Sequence, residues 1–283
     1  MSNAAKGALW MIAAAAALTA MAVCIRYLPA YSVLLMIFLR NVINLVLMAP
    51  SMIRQGKSMI VTQRLGTHAL RNLFLYSGNV AWFYGVTLVA LADVASLQFT
   101  SPLFTAIIAA AFLGEKIGGH RMVAILVGFA GALIIIRPGM IPINLGTVMI
   151  LIAAFLYSCA HVVTKRLSDT ESGSTVVFYM SVAILVYSAI PAFFVWETPV
   201  WADMPAMIGL GITGYATHYC ITRSLAVGDA SFVIAFDFMR LPFSALLGWL
   251  LFREMLDTLT VAGALIIFAA GYYSTMREAK KSG

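Results

Sequence analysis

The sequence predicts an all-α polytopic membrane protein, with ten transmembrane helices arranged as two inverted five-helix repeats. Three observations carry this reading. Of 283 residues, 62% are hydrophobic and only 10% charged, where a soluble domain carries about 25% charged residues. Ten apolar runs have the length a helix needs to cross a bilayer, about 20 residues. The order Asp, Pro, Glu recurs in the fourth and ninth runs, as Asp93, Pro102 and Glu115, then Asp229, Pro242 and Glu254.

The ten runs are residues 7–25, 32–50, 70–90, 94–113, 121–137, 145–164, 175–196, 205–226, 230–252 and 258–276. The first follows Lys6 and is rich in Ala. Its apolar core is too long for a typical signal peptide, and it reads as an uncleaved first span. The third and fourth runs, like the eighth and ninth, nearly merge. A 40-residue apolar stretch cannot be one helix in a bilayer about 30 Å thick, so turns are expected at Ala92–Asp93 and Gly228–Asp229.

The cations set the orientation. With the N-terminus cytoplasmic, thirteen of the 18 Lys and Arg residues fall on the inner side. Three (Arg26, Arg137 and Arg253) fall outside, and the remaining two, Arg40 and Arg240, lie within the membrane. An even number of spans then leaves both termini inside. Residues 197–204 form the longest outer loop, where Trp196 and Trp201 suit the interface. No loop has room for a nucleotide-binding or catalytic domain. The net charge of +7 is scattered over short loops, which argues against nucleic acid.

An odd number of spans per copy inverts the second copy, the arrangement of many secondary transporters, whose site lies at midplane between the halves. The expected domains are residues 1–140 and 141–283. Both contain Gly-Ala-Leu-Ile-Ile, at 131–135 and 263–267, out of phase relative to the two glutamates.

Two stretches carry a family resemblance: FYGVTLVALADVASLQFTSPLFTAIIAAAFLGEKI over spans three to five, and RSLAVGDASFVIAFDFMRLPFSALLGWLLFREML over spans eight to ten. They resemble the EamA module of the drug/metabolite transporter superfamily, and most closely the bacterial branch with riboflavin and S-adenosylmethionine importers. The resemblance implies ten helices, cytoplasmic termini, a bacterial inner membrane and a central cavity worked by alternating access. It implies a small-molecule substrate, with riboflavin uptake as the first expectation and amino-acid or drug export as the alternative. Arg253 departs from the family pattern, where a Gly commonly precedes the Glu.

Asp237 and Arg240 share a face of the ninth span. Charge at bilayer depth usually faces a bundle interior or a watery cavity. Arg240 is either an anchor for an anionic or carbonyl-bearing substrate or half of a structural ion pair. Asn79, Trp82, Tyr84, Gln98, Tyr215, His218 and Tyr219 lie on helices that line the cavity in the family, where rings stack on flat substrates and amides bond them. His161, His218 and Asp237 are candidates for proton coupling. Pro102 and Pro242 are expected to kink their helices. Cys24, Cys159 and Cys220 have no metal-ligand or redox spacing, and no cofactor, no metal and no nucleic acid is expected. The protein is expected to work as a monomer or homodimer. A membrane-embedded enzyme would need a nucleophile, base or metal cluster, which the sequence does not offer.

Overall fold

The structure, a computed structural model, describes residues 3–56, 60–113, 119–137, 144–168, 170–227, 234–255 and 257–282. Glu115, Gly228, Asp229 and the expected domain boundary at 140/141 lie outside the described residues.

Among the described residues eleven α-helices follow one another: α1 (Asn3–Arg26), α2 (Val33–Gln55), α3 (Leu65–Leu88), α4 (Leu91–Gln98), α5 (Ser101–Leu113), α6 (Gly119–Ile136), α7 (Leu145–Ser168), α8 (Gly173–Phe194), α9 (Met204–Val227), α10 (Arg240–Phe252) and α11 (Thr258–Ser282). Short 3₁₀ turns, Trp201–Asp203 and Ile234–Met239, precede α9 and α10. With α4 and α5 counted as one pass, these make the ten transmembrane passes. Five stretches are long and apolar enough to cross a bilayer by composition alone: Ala5–Arg26, Val33–Pro50, Leu91–Phe112, Leu145–Leu167 and Thr175–Phe194. Helix α3 falls short because its inner face is polar, with His68, Arg71, Asn72 and Asn79 all buried. Arg71, counted with the loop cations in the sequence, is one of them; its Nε donates to Thr164 (2.7 Å).

The fourth and ninth passes are not single helices. A proline offers no N–H to the carbonyl four residues back and crowds it. Pro102 therefore leaves the Gln98 carbonyl without its helical donor, and α4 ends at Gln98. Phe99 and Thr100 turn on bonds to the Ser96 and Leu97 carbonyls (3.2 and 3.0 Å) before α5 begins. Pro242 does the same to Phe238, in the 3₁₀ turn ahead of α10.

The halves interlock rather than sit side by side. The most extensive packing joins the first pass of each half to the third pass of the other: α1 along α9, and α7 along α3. Helices α6 and α11, the last pass of each half, close the set. With lipid tails as apolar as the side chains, such contacts depend on close approach at small residues. The repeated pentapeptides provide one. A Cβ on Gly131 would stand 2.8 Å from the Gly263 carbonyl oxygen, and a Cβ on Gly263 2.6 Å from that of Gly131. Ile267 covers Gly131 and Ile135 covers Gly263. The two identical segments clasp each other.

Candidate functional site

The second break packs on α1, and the end of α4 reaches the same place. There Leu18, Thr19, Ala22, Trp82, Leu91, Val94, Ala95, Gln98, Arg240 and Ser244 surround a chamber of about 20 Å³, room for one water. Trp82 is only 4% exposed, and its indole N–H has no partner. Nor does the side-chain nitrogen of Gln98. The Thr19 and Ser244 hydroxyls lie 3.4 Å apart across the chamber. Arg240 donates to the Asp237 carboxylate, and its Nε reaches the Asp237 carbonyl (3.4 Å). The guanidinium stands 5.2 Å over the Phe99 ring, which stacks on Phe238 at 5.3 Å. Each half thus contributes a polar group beside its proline break, Gln98 from the first and Arg240 from the second.

The face distal to the N-terminal end of α1 is fastened by a second polar group. Arg26, at the end of α1, pairs with Glu254 and also donates to the carbonyls of Val86 (2.9 Å) and Val89. Glu254 accepts the Leu91 N–H (2.9 Å) at the start of α4, where the helix dipole favours a carboxylate. Arg253 makes this reach possible. It caps α10 in the left-handed conformation (φ 58°), while the Glu254 N–H returns to the Gly248 carbonyl (3.1 Å). Beside this group Arg137 pairs with Asp257, and Thr260 donates to Asp93 (2.9 Å). Asp93, Arg137, Glu254, Asp257 and Thr260 line a cavity of about 140 Å³. A wider recess of about 620 Å³ opens beside Arg26, Tyr31, Tyr84 and Glu254. In the adjoining loop Tyr31 accepts the Val200 N–H (3.1 Å) and donates to Asp203 (2.7 Å). The Val200 bond pulls the phenol pKa down, but the Asp203 bond, burial and the nearby acids outweigh it and the net direction is up.

The remaining residues singled out in the sequence are dispersed. Asn79 accepts a bond from the half-buried Tyr157 phenol (2.9 Å) on α7. Tyr84 stands 42% exposed in the distal recess. Tyr215 stacks on Tyr219, and Tyr219 meets Trp10 edge-on, both at 5.9 Å. His218 and His161 are exposed on α9 and α7. The structure therefore brings together Trp82, Gln98 and Arg240, with Asp237 behind Arg240. In the sequence Arg26 stands only as a loop cation and Glu254 only as the last member of the Asp–Pro–Glu order. Their pairing spans 228 positions, and no local pattern announces it.

Two interlocked halves, each with a proline-broken pass, are the architecture of a membrane carrier. The chain matches the EamA-like transporter family twice, over residues 5–137 and 144–276, and it belongs to that family. Among curated proteins it is 33% identical to a riboflavin transporter of Vibrio cholerae, over 98% of this chain and 95% of that one. An S-adenosylmethionine uptake transporter of Rickettsia bellii is 28% identical, over 86% and 84%. A pseudopaline exporter of Pseudomonas aeruginosa is 31% identical, over 68% of each. A solved crystal structure shares the fold with a TM-score of 0.66, covering 99% of this chain and 100% of that one at 17% identity.

Proposed function

We propose that this chain is a secondary transporter that takes up riboflavin across the bacterial inner membrane by alternating access, with both termini cytoplasmic. The observation that carries the reading is the full-length similarity to the Vibrio cholerae riboflavin transporter. The chamber supports it. Trp82 and Gln98 offer hydrogen-bond donors with no partner, a setting for a ligand bearing carbonyls. The thirteen-to-three distribution of cations supports the orientation.

Expression in a strain unable to make riboflavin tests the substrate. Growth on micromolar riboflavin, with accumulation of the labelled vitamin, is the expected result; failure of both rejects riboflavin uptake. Reporter fusions to the C-terminus test the orientation.

S-adenosylmethionine uptake is the second reading. The Rickettsia relatives favour it, and so does the Asp237–Arg240 pair, whose opposite charges would suit an amino-acid moiety. Counterflow of each compound in proteoliposomes separates the two.

A further inference from the structure

The chamber holds more than a general preference for polar ligands. An N–H group buried without an acceptor is costly, so two such residues lining one space favour an acceptor-bearing occupant. Trp82, 4% exposed, can only donate. Gln98 can donate through its unpartnered nitrogen and accept through its amide oxygen. Arg240 is a third donor, its charge already balanced by Asp237.

We propose that Gln98 and Trp82 read an imide edge, carbonyl–N–H–carbonyl, on the transported molecule. The Gln98 nitrogen would donate to one carbonyl while its oxygen accepts the ring N–H. The Trp82 indole would donate to the second carbonyl. The pyrimidinedione end of an isoalloxazine has this edge. An adenine edge, an amino group beside a ring nitrogen, satisfies a glutamine amide but has no second carbonyl for Trp82. The set therefore selects imides over adenines, and this assignment rests on the riboflavin reading above. At about 20 Å³ the chamber does not hold a ring. The edge enters when α4 and α10 part at their proline breaks.

The test uses the purified full-length chain in proteoliposomes and labelled riboflavin. Two competitors are compared: lumichrome, which keeps the imide and lacks the ribityl chain, and 3-methylriboflavin, in which a methyl replaces the imide proton. With wild type, lumichrome is expected to compete and 3-methylriboflavin to compete about tenfold more weakly, the effect of one lost buried hydrogen bond. In Gln98→Leu, half-saturation by riboflavin rises about tenfold on the same ground, and the preference over 3-methylriboflavin disappears. In Trp82→Phe affinity falls while the preference at the N–H is kept. The preference is a ratio taken on one preparation, so a partly misfolded fraction cancels. An unchanged preference in Gln98→Leu, or none in wild type, overturns the proposal.

Absence of riboflavin transport by wild type would reject the uptake reading instead. Thermal stabilisation by lumichrome then decides the imide proposal. It is upheld if wild type is stabilised and Gln98→Leu is not, and overturned by any other outcome.

Discussion

Arg26 holds more of the structure than any residue its sequence context would single out. Its guanidinium serves Glu254 and two backbone carbonyls, while Glu254 serves Arg26 and the Leu91 N–H. The side chains are 14% and 18% exposed, so removing either one leaves a mostly buried charge unpaired. We expect Arg26→Gln and Glu254→Gln each to destabilise by about 3 kcal/mol, typical of breaking a buried pair. Thermal unfolding in detergent measures this. The charge-swapped double variant, Arg26→Glu with Glu254→Arg, is expected to give no rescue. A carboxylate cannot donate to the Val86 and Val89 carbonyls, nor can a guanidinium accept from Leu91. Arg253 supplies a contrasting expectation. It adopts a left-handed conformation (φ 58°) that costs a side-chain-bearing residue about 1–2 kcal/mol. Arg253→Gly should therefore raise the melting temperature, and a fall would show that the arginine side chain has a compensating role. Physically, this explains why a glycine suits the position before that glutamate.

Among the helices, α6 and α11 make the sharpest prediction. The Gly131 and Gly263 contacts are with backbone oxygens and with isoleucines held in the opposing copy, so neither neighbour can yield cheaply. Gly131→Ala and Gly263→Ala should each cost about 1–3 kcal/mol by overpacking. Gly66→Ala, early in α3 with nothing within 4 Å of its Cβ, should be neutral or stabilising by up to about 1 kcal/mol. Equal tolerance at all three sites would mean that α6 and α11 do not meet at these glycines. The same helices show where sequence reasoning reached its limit. The pentapeptides look unimportant when judged by their distance from the glutamates. Their significance is reciprocal contact between antiparallel helices, which spacing along the chain does not express. By contrast, proline removes a donor whatever surrounds it, so an interruption near Pro102 and Pro242 was to be expected, whereas the turn expected at Ala92–Asp93 lies earlier, between Leu88 and Leu91.

At the scale of the whole molecule, the class of fold was open to inspection. Lipid imposes a length and an apolarity on each pass, and both are written directly in residues such as those of Ala5–Arg26 and Leu145–Leu167. The candidate site was legible only in part. Gln98, Trp82 and Arg240 come from three passes and line one chamber with Leu18, Thr19 and Ala22 of α1. Tyr215 and Tyr219 stand on a helix of the same kind but pair with each other and Trp10. Helical phase within a bundle decides such cases, and one sequence does not fix it.

The ion pairs of the passes that bear on the chamber and the distal face carry a further consequence. Arg26 with Glu254, Arg137 with Asp257, and Arg240 with Asp237 are each neutral as a unit. A full charge crossing the membrane feels about 2.3 kcal/mol per 100 mV; a pair that travels together presents only a dipole to that field. Rearrangement of these passes around an uncharged cargo should then draw little electrical work from the cell. In proteoliposomes, an imposed potassium-diffusion potential is expected to leave the initial rate of riboflavin flux nearly unchanged. A steep dependence on voltage would mean that at least one of these pairs separates during the cycle, or that a charged ion travels with the cargo.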